Sequence, residues 1–297
     1  MEWFENVFLS FFIYSFIGWI WESFFYSLWD KHKLVNRGFM FGPYIPIYGV
    51  GALIDLVFLG GIKNMILLFF VSGIVCCAVE YLTGYVMEKL FHARWWDYTD
   101  MLWHLNGRIC IEGFFAFGLL SVALVGWIHP FTTGVLDMIP AIPKLIATIA
   151  TVTLFATDLI ISVKHAADFD KKIRKIAESL GKLKDRMAAL YDTVVVETFF
   201  RKVIEHLTDQ QKRLVYAFPK MRSVSYPGVV RAIRRALPGG TGTFFRRRKH
   251  GRADDEISED ITAAPAAEMT EEELAAAEKA IAELAAEHER EQQQSAR

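Results

Sequence analysis

Several acidic side chains lie within or beside long apolar stretches of this 297-residue sequence, at Glu22, Asp55, Glu80, Glu112 and Asp158. A charged side chain at the centre of a lipid-facing helix costs about 2.5 to 3.5 kcal/mol, so each acid should face the protein interior, a cavity or a basic partner. Such a carboxylate can bind a cationic group, and desolvation allows it to act as a general acid or base near neutral pH. These acids are therefore the first candidates for a functional site.

Two segments that are unsuited to regular helix could bring these acids together with basic and amide side chains. Residues 36–51 read NRGFMFGPYIPIYGVG, and residues 94–113 read RWWDYTDMLWHLNGRICIEG. The glycines and prolines of the first segment favour a shaped loop, since glycine permits positive φ and proline removes a donor. Non-helical backbone at membrane depth must be buried by protein or solvated by water. We therefore expect the two loops to meet and to satisfy each other's polar groups.

Five apolar stretches approach the length of about 20 residues that a membrane-spanning helix needs. They are residues 3–29, 45–61, 64–87, 109–128 and 145–163. The second stretch is short, which fits a span that tilts little or is partly re-entrant. The predicted fold is an all-α, polytopic membrane helix bundle of about five spans with shaped cytoplasmic loops, followed by a helical cytosolic tail.

Basic residues alternate along the short connections between these spans. The first and third connections carry Lys31, Lys33, Arg37, Lys89, Arg94 and Arg108, whereas the second has only Lys63 and the fourth only Lys144. Because Lys and Arg accumulate on the cytoplasmic side of a membrane, this pattern predicts an outside N-terminus and a cytoplasmic C-terminus. The predicted location is the cell membrane, with both shaped loops entering from the cytosol.

The candidate site is a polar cavity open to the cytosol that binds a charged substrate or a lipid headgroup. Its predicted residues are Glu22, Asn36, Arg37, Glu80, Asp97, Asn106, Arg108 and Glu112. An alternative interpretation is purely structural: Glu22, Glu80 and Glu112 pair with Arg37, Arg94 and Arg108 and attach the cytoplasmic loops to the bundle. The two interpretations are compatible.

Five motifs, taken together, carry a resemblance to a known family. They are GWIWESFFYS, NRGFMFGPYIPIYGVG, EYLTGY, RWWDYTD and LNGRICIEG, with a fainter continuation at residues 213–223, RLVYAFPKMRS. In this combination the chain resembles the bacterial ABC-transporter type IV family, also called the CmpB family. The resemblance implies a multi-pass bacterial membrane protein that acts as an ABC transporter permease, and it brings no catalytic residues with it. The sequence has no GxxxxGK[ST] phosphate loop, so an ATPase would be a separate chain.

The composition changes after the five-span membrane domain, which is predicted to occupy residues 1–163. Residues 164–237 are predicted to form a basic, helical cytosolic region. A heptad seam in this region fits a coiled coil or packing within the chain; it consists of Ile173, Ile176, Leu180, Leu183, Met187, Leu190 and Val194. Residues 238–268 resemble a Gly-rich and acidic linker, expected to be disordered, and residues 269–297 an acidic, Ala-rich tail helix.

Motifs for other classes of function are missing from the sequence. It contains no HExxH, no His-Cys cluster, no nucleophile elbow and no dinucleotide fingerprint, so no metal, cofactor or catalytic residue is expected. Two alternatives to a permease stay open: a membrane-embedded enzyme acting on a lipid-linked or amphipathic substrate, with Glu22, Glu80 or Asp97 as acid or base, and a membrane scaffold. The expected partners are membrane lipids, a separate ATP-binding-cassette subunit and a second copy in a homodimer, whereas nucleic acid is not expected.

Overall fold

The computed structural model describes residues 2–26, 35–186, 200, 203–205 and 207–237, and these residues are mostly helical. The chain divides into two compact units, one made of Met1–Ala167 with Ala217–Met221, the other of Asp168–Tyr216 with Arg222–Arg297. Four helices are long and apolar enough to cross a membrane: Glu2–Phe24, Met65–Phe91, Ile111–Asp137 and Ala141–Ser179. The predicted all-α membrane fold is therefore confirmed, and the stretch predicted as the second span forms a shorter apolar helix, Pro46–Leu59.

The described helices contain three π-helical segments, in which each backbone hydrogen bond spans five residues instead of the four of an α-helix. Helix α1 (Glu2–Ile20) continues into π1 (Trp21–Tyr26), α2 (Pro46–Ile54) into π2 (Asp55–Leu59), and α4 (Ile111–Ala123) into π3 (Leu124–Ile128) and α5 (His129–Asp137). The other elements are α3 (Met65–Phe91), α6 (Ala141–Arg186), α7 (Asp209–Ala217), α8 (Pro227–Ala236) and the short strands β1 (Ala93–Arg94), β2 (His104–Leu105), β3 (Ile109–Cys110) and β4 (Arg222–Ser223). Segments π1 and π2 carry the acids Glu22 and Asp55, and such segments are frequent at functional sites.

The second apolar stretch consists of a loop followed by a short helix. The helix Pro46–Leu59 rises only about 21 Å, less than the roughly 30 Å of a hydrocarbon core. The loop before it returns along α1, because the amide of Ile45 donates to the carbonyl of Ser15 at 2.9 Å. Ser15 lies about 15 Å from the end of π1 at Tyr26. This geometry is compatible with a partly re-entrant segment, one of the two arrangements predicted from the shortness of the stretch.

Small residues set the closest helix contacts in the membrane domain. A Cβ on Gly49 of α2 would lie 2.3 Å from Oγ of Ser15 in α1, and one on Gly118 of α4 would lie 2.7 Å from the carbonyl oxygen of Phe69 in α3. Small residues let membrane helices approach closely enough for dispersion contacts to hold them together. These two contacts fix the pairs α1–α2 and α3–α4.

The connection between α3 and α4 folds back along the end of α3. Helix α3 ends at His92, which has a φ of 47°, and β2 and β3 then pair as an antiparallel hairpin. Asn106 and Gly107 turn the hairpin with φ values of 52° and 67°, the left-handed region that these two residue types favour. We refer to residues 92–110 as the hairpin loop. It brings tyrosine and arginine side chains alongside the last turns of α3.

The second unit contains its own apolar core. Phe169, Ile173 and Ile176 of α6 are buried, together with Val230 and Ile233 of α8. The first two residues of the predicted heptad seam therefore pack within the chain. The side chains of Leu180 and Leu183, the rest of the seam from Met187, the predicted linker at 238–268 and the predicted tail helix at 269–297 lie outside the described residues.

Candidate functional site

Two glutamates and two tyrosines meet where the two loops reach the helix bundle. The hydroxyl of Tyr48 donates to Oε1 of Glu22 at 2.8 Å, and the hydroxyl of Tyr98 donates to Oε1 of Glu80 at 3.0 Å. The two glutamates are close enough for their charges to interact. We call Glu22, Tyr48, Glu80 and Tyr98 the carboxylate–tyrosine cluster. Four elements supply it: π1, α2, α3 and the hairpin loop.

Glu22 is held by the loop that precedes α2. Nε of Arg37 lies 4.0 Å from Oε2 of Glu22, and the amide of Arg37 donates to Oγ of Ser23 at 3.2 Å. The side chains of Arg37 and Glu22 keep 16% and 33% of their surface exposed, so water still reaches this pair. The ion pair predicted between Glu22 and Arg37 is confirmed.

Glu80 is the more enclosed of the two acids. Only 8% of the residue is exposed, and its Oε2 atom is buried with no hydrogen-bond partner among the described residues. An unpaired oxygen of a buried carboxylate is costly, because the water that solvated it has been removed without replacement. Glu80 is therefore the group in the cluster with an unused capacity to bind a donor or a cation.

Tyr98 holds its phenolic proton more tightly than an exposed tyrosine does. Burial raises the pKa of its phenol well above the ordinary value, and the negative charge of Glu80 raises that pKa further. Glu22 adds a smaller contribution in the same direction. The hydroxyl of Tyr98 can therefore act as a hydrogen-bond donor to Glu80 across the physiological pH range.

The arginines of the hairpin loop form a separate network around Glu88. Oε2 of Glu88 lies 2.9 Å from a terminal nitrogen of Arg108 and 3.3 Å from Nε of Arg94. Arg94 also lies 3.6 Å from Asp97, and the guanidinium of Arg108 stacks on Tyr81 at 5.2 Å. The interpretation that pairs Glu80 with Arg94 or Glu112 with Arg108 is thus wrong, because Glu88 on α3 lies nearer to both arginines.

The remaining predicted residues have different surroundings. Asn36 shapes its own loop: its side-chain oxygen accepts from Nε1 of Trp19 at 2.9 Å, and its side-chain nitrogen donates to the carbonyl of Phe41 at 2.9 Å. Asn106 donates to the hydroxyl of Tyr81 at 3.0 Å and ties the hairpin to α3. Glu112 is exposed in the first turn of α4, beside Cys110. The structure thus brings Glu22, Arg37 and Glu80 together, places Asp97, Asn106 and Arg108 in the neighbouring network, and leaves Glu112 outside both.

The two loops meet, as their sequences predicted. The ring of Phe39 lies 5.1 Å from that of Trp95 and 5.7 Å from that of Phe91. The loop before α2 is also held by Asp158 of α6, which accepts hydrogen bonds from the amides of Phe41 and Gly42 and from the hydroxyl of Tyr44. Asp158 therefore provides acceptors for backbone donors of this loop.

Several contributors to the site were not among the predicted residues: Tyr48, Tyr81, Glu88 and Tyr98. A helical signal was present for two of them, because Tyr81 and Glu88 are seven residues apart and so lie on one face of α3. For Tyr98 the sequence offers no comparable signal, since its partner Glu80 is reached only through the fold of the hairpin loop. Within the parts of the chain that the structure describes, no group of three His, Cys, Asp or Glu residues is placed to hold a metal ion.

One of three comparisons with known proteins gives a match. The model of the family described as "Putative ABC-transporter type IV" matches residues 9–163, a little over half of the chain and nearly all of the membrane-spanning part. No curated protein matches the sequence, and no solved structure matches the fold. The matched region contains both loops and every residue of the carboxylate–tyrosine cluster.

Proposed function

This chain belongs to the "Putative ABC-transporter type IV" family, and from that membership we propose that it is the permease subunit of a transporter driven by a separate ATP-binding-cassette subunit. The polar site that receives the substrate is the carboxylate–tyrosine cluster, which opens to the cytosol. Its substrate is a small molecule with a cationic group.

The unpaired oxygen of Glu80 is the observation that carries this proposal. A carboxylate that only stabilised the fold would be expected to satisfy both oxygens, as Asp158 does with donors to Oδ1 and Oδ2. Oε1 of Glu80 accepts from Tyr98, but Oε2 has no donor within the described residues. An ammonium or guanidinium group of a substrate would supply that donor.

The charges around the cluster favour a cation over an anion. Of the two carboxylates, Glu22 pairs with Arg37 and Glu80 forms no ion pair within the described residues, while Arg94 and Arg108 are engaged by Glu88. The rings of Tyr48 and Tyr98 add faces that attract a cation, and their hydroxyls add donors. A cationic ligand would balance the cluster, whereas an anion would meet an excess of negative charge.

The position of the cluster suits a transport role. Both loops that form it are expected on the cytoplasmic side, where an ATP-binding-cassette subunit would have to dock. A movement of either loop would change the hydrogen bonds that Glu22 and Glu80 accept, because the loop before α2 leads directly to Tyr48 and the hairpin loop carries Tyr98. Such a linkage would connect the partner subunit to the substrate site.

Purification of the full chain from native membranes in mild detergent, with mass spectrometry of bound proteins and small molecules, tests the proposal. We expect a stoichiometric ATP-binding-cassette protein, together with a cationic small molecule that is retained by the wild type and by Asp100→Asn and lost in Glu80→Gln. Asp100 is a matched control, since it lies in the hairpin loop but its side chain is 74% exposed.

Two results would contradict the proposal. Purification without any ATP-binding protein, but with a lipid or metabolite that is lost in Glu22→Gln, would favour the enzyme or binding-protein alternative. A retained ligand that is indifferent to both Glu22→Gln and Glu80→Gln would place the substrate site elsewhere.

A further inference from the structure

A second buried acid, Asp55, lies apart from the carboxylate–tyrosine cluster in the helix of the second apolar stretch. It is the first residue of π2, directly after α2, and only 1% of it is exposed. It stands six residues C-terminal to Gly49, which packs against α1, and it contacts α3 and α4. Asp55 is therefore enclosed by the helix bundle and is not part of the loop region.

The hydrogen bonds of Asp55 are all on one of its two oxygens. The hydroxyl of Ser121 in α4 and the thiol of Cys76 in α3 both donate to Oδ2, the thiol at 3.6 Å. The other oxygen, Oδ1, is buried and has no partner among the described residues. Asp55 thus has fewer donors than Asp158, which accepts four hydrogen bonds.

The surroundings of Asp55 provide no counter-charge. The titratable group in contact with it is the thiol of Cys76 on α3. Tyr14 of α1 packs in an apolar cluster with Ala52 of α2 and Leu124. Tyr14 is itself bonded to His129 of α5 at 2.7 Å, and α4 contributes only the neutral Ser121. Across the described ranges, no lysine, arginine or histidine forms an ion pair with Asp55.

We propose that Asp55 is a proton-binding site within the membrane, distinct from the substrate site, with the proton carried on Oδ1. An ionised carboxylate here would have an unsolvated oxygen and no cation, which is strongly unfavourable, and a proton removes that charge. The ligand of this site is H⁺. Release of the proton would place an uncompensated negative charge among α2, α3 and α4 and would loosen their packing.

Protonation of Asp55 affects how the helix that carries it packs against α3 and α4. Oδ2 of Asp55 connects α2 to α3 through Cys76 and to α4 through Ser121. The π-helical geometry at Asp55 marks a place where the regular helix is interrupted, and such places are frequent at functional sites. The proton on Asp55 therefore couples the helix of the second apolar stretch to its two neighbours.

Labelling of the purified full-length protein with dicyclohexylcarbodiimide tests this site, because that reagent modifies protonated carboxyl groups in apolar surroundings. The modified residue is identified by mass spectrometry of the peptide containing residue 55, over a series of pH values from acidic to alkaline. We expect Asp55 to be labelled at neutral pH, with labelling that decreases as the pH rises. Asp158 serves as an internal reference that stays unlabelled, since four donors satisfy its carboxylate.

A variant and a second measurement complete the test. Ser121→Ala removes a donor that favours the ionised carboxylate, so the labelling of Asp55 at alkaline pH should rise several-fold. Infrared spectra of the wild type should contain the carbonyl band of a protonated carboxylic acid, and Asp55→Asn should remove it. The proposal fails if Asp55 is unlabelled at every pH, or if sodium ions at constant pH protect it, because the site would then hold a metal cation.

Discussion

Tyr98 is the residue that joins the hairpin loop to the buried acid of α3. Its hydroxyl supplies the one hydrogen bond to Oε1 of Glu80 in the described structure. The opposite oxygen, Oε2, has no partner, so the loss of Tyr98 would leave the whole carboxylate unpaired. The hydroxyl of Tyr98 therefore determines how much free energy of folding is lost by burying Glu80.

The variant Tyr98→Phe should lower the free energy of unfolding by about 1 to 3 kcal/mol, the usual cost of a buried polar group that loses its partner. Tyr85→Phe is the matched control, since Tyr85 is 44% exposed and its ring contact with Arg108 would survive the change. Thermal or chemical unfolding of both variants in detergent micelles measures the difference. Equal losses in the two variants would show that the bond to Glu80 contributes little.

The stability difference between the wild type and Tyr98→Phe should depend on pH in one direction. The pKa of Tyr98 in the folded protein is raised above its ordinary value of 10.0, first by burial and then by Glu80. A group with a raised pKa contributes its stability below the unfolded pKa and loses it as the pH rises. The contribution of Tyr98 to the advantage of the wild type should therefore decrease as the pH rises above about 10.

At the level of elements, the loop at residues 35–45 leads into the short helix of the second apolar stretch. Its glycines and prolines predicted a shaped loop, and the hydrogen bond from the amide of Ile45 to the carbonyl of Ser15 attaches that loop to α1. The partner that satisfies its amides could not be predicted, because Asp158 is more than 100 residues away in the sequence. Local composition indicates where a helix is broken, but the groups that compensate for the break come from tertiary structure.

The variant Asp158→Asn should release this loop. The amide of asparagine keeps one acceptor oxygen and turns a nitrogen toward the donors of Phe41, Gly42 and Tyr44, so at least one of them loses its partner. Met40 is fully buried, with 0% exposure, and a cysteine in its place reports on the loop.

A maleimide should label Met40→Cys slowly in a cysteine-free background and at least severalfold faster after Asp158→Asn. Asp137→Asn, an exposed acid at the end of α5, should leave the labelling rate unchanged. An unaltered rate in Asp158→Asn would mean that other contacts are sufficient to hold the loop.

At the level of the whole molecule, apolar length predicted the membrane fold, whereas the pairing of charges needed the structure. The long apolar helices are predicted from mean hydropathy, which averages over many residues, so one misjudged residue does not change the prediction. Each ion pair, in contrast, depends on the distance between two particular side chains. Arg94 and Arg108, which the sequence pattern paired with Glu80 and Glu112, both form ion pairs with Glu88. The dipeptide Asn106-Gly107 did contain a usable signal for the hairpin, because both residues favour positive φ.

The predicted orientation can be tested with one cysteine on each side of α3. Lys63→Cys, before α3, should react with a membrane-impermeant maleimide in intact cells, and Asp100→Cys, after α3, should react only after permeabilisation. The reason is the excess of basic residues around the hairpin loop, which are retained on the cytoplasmic side. The reverse pattern would invert the topology, and labelling of both from one side would mean that α3 does not cross the membrane.

The hydrogen bond from the amide of Phe41 to Asp158 also determines when the loop can fold during synthesis of the protein. The two residues are 117 positions apart, so the ribosome needs about 6 to 23 s after Phe41 to add Asp158. Until then the amides of Phe41 and Gly42 have no carboxylate to bind, and the short helix that follows is a poor candidate for insertion on its own. The loop that precedes α2 is thus fixed late, only after α6 has been synthesised as far as Asp158, even though it lies early in the chain.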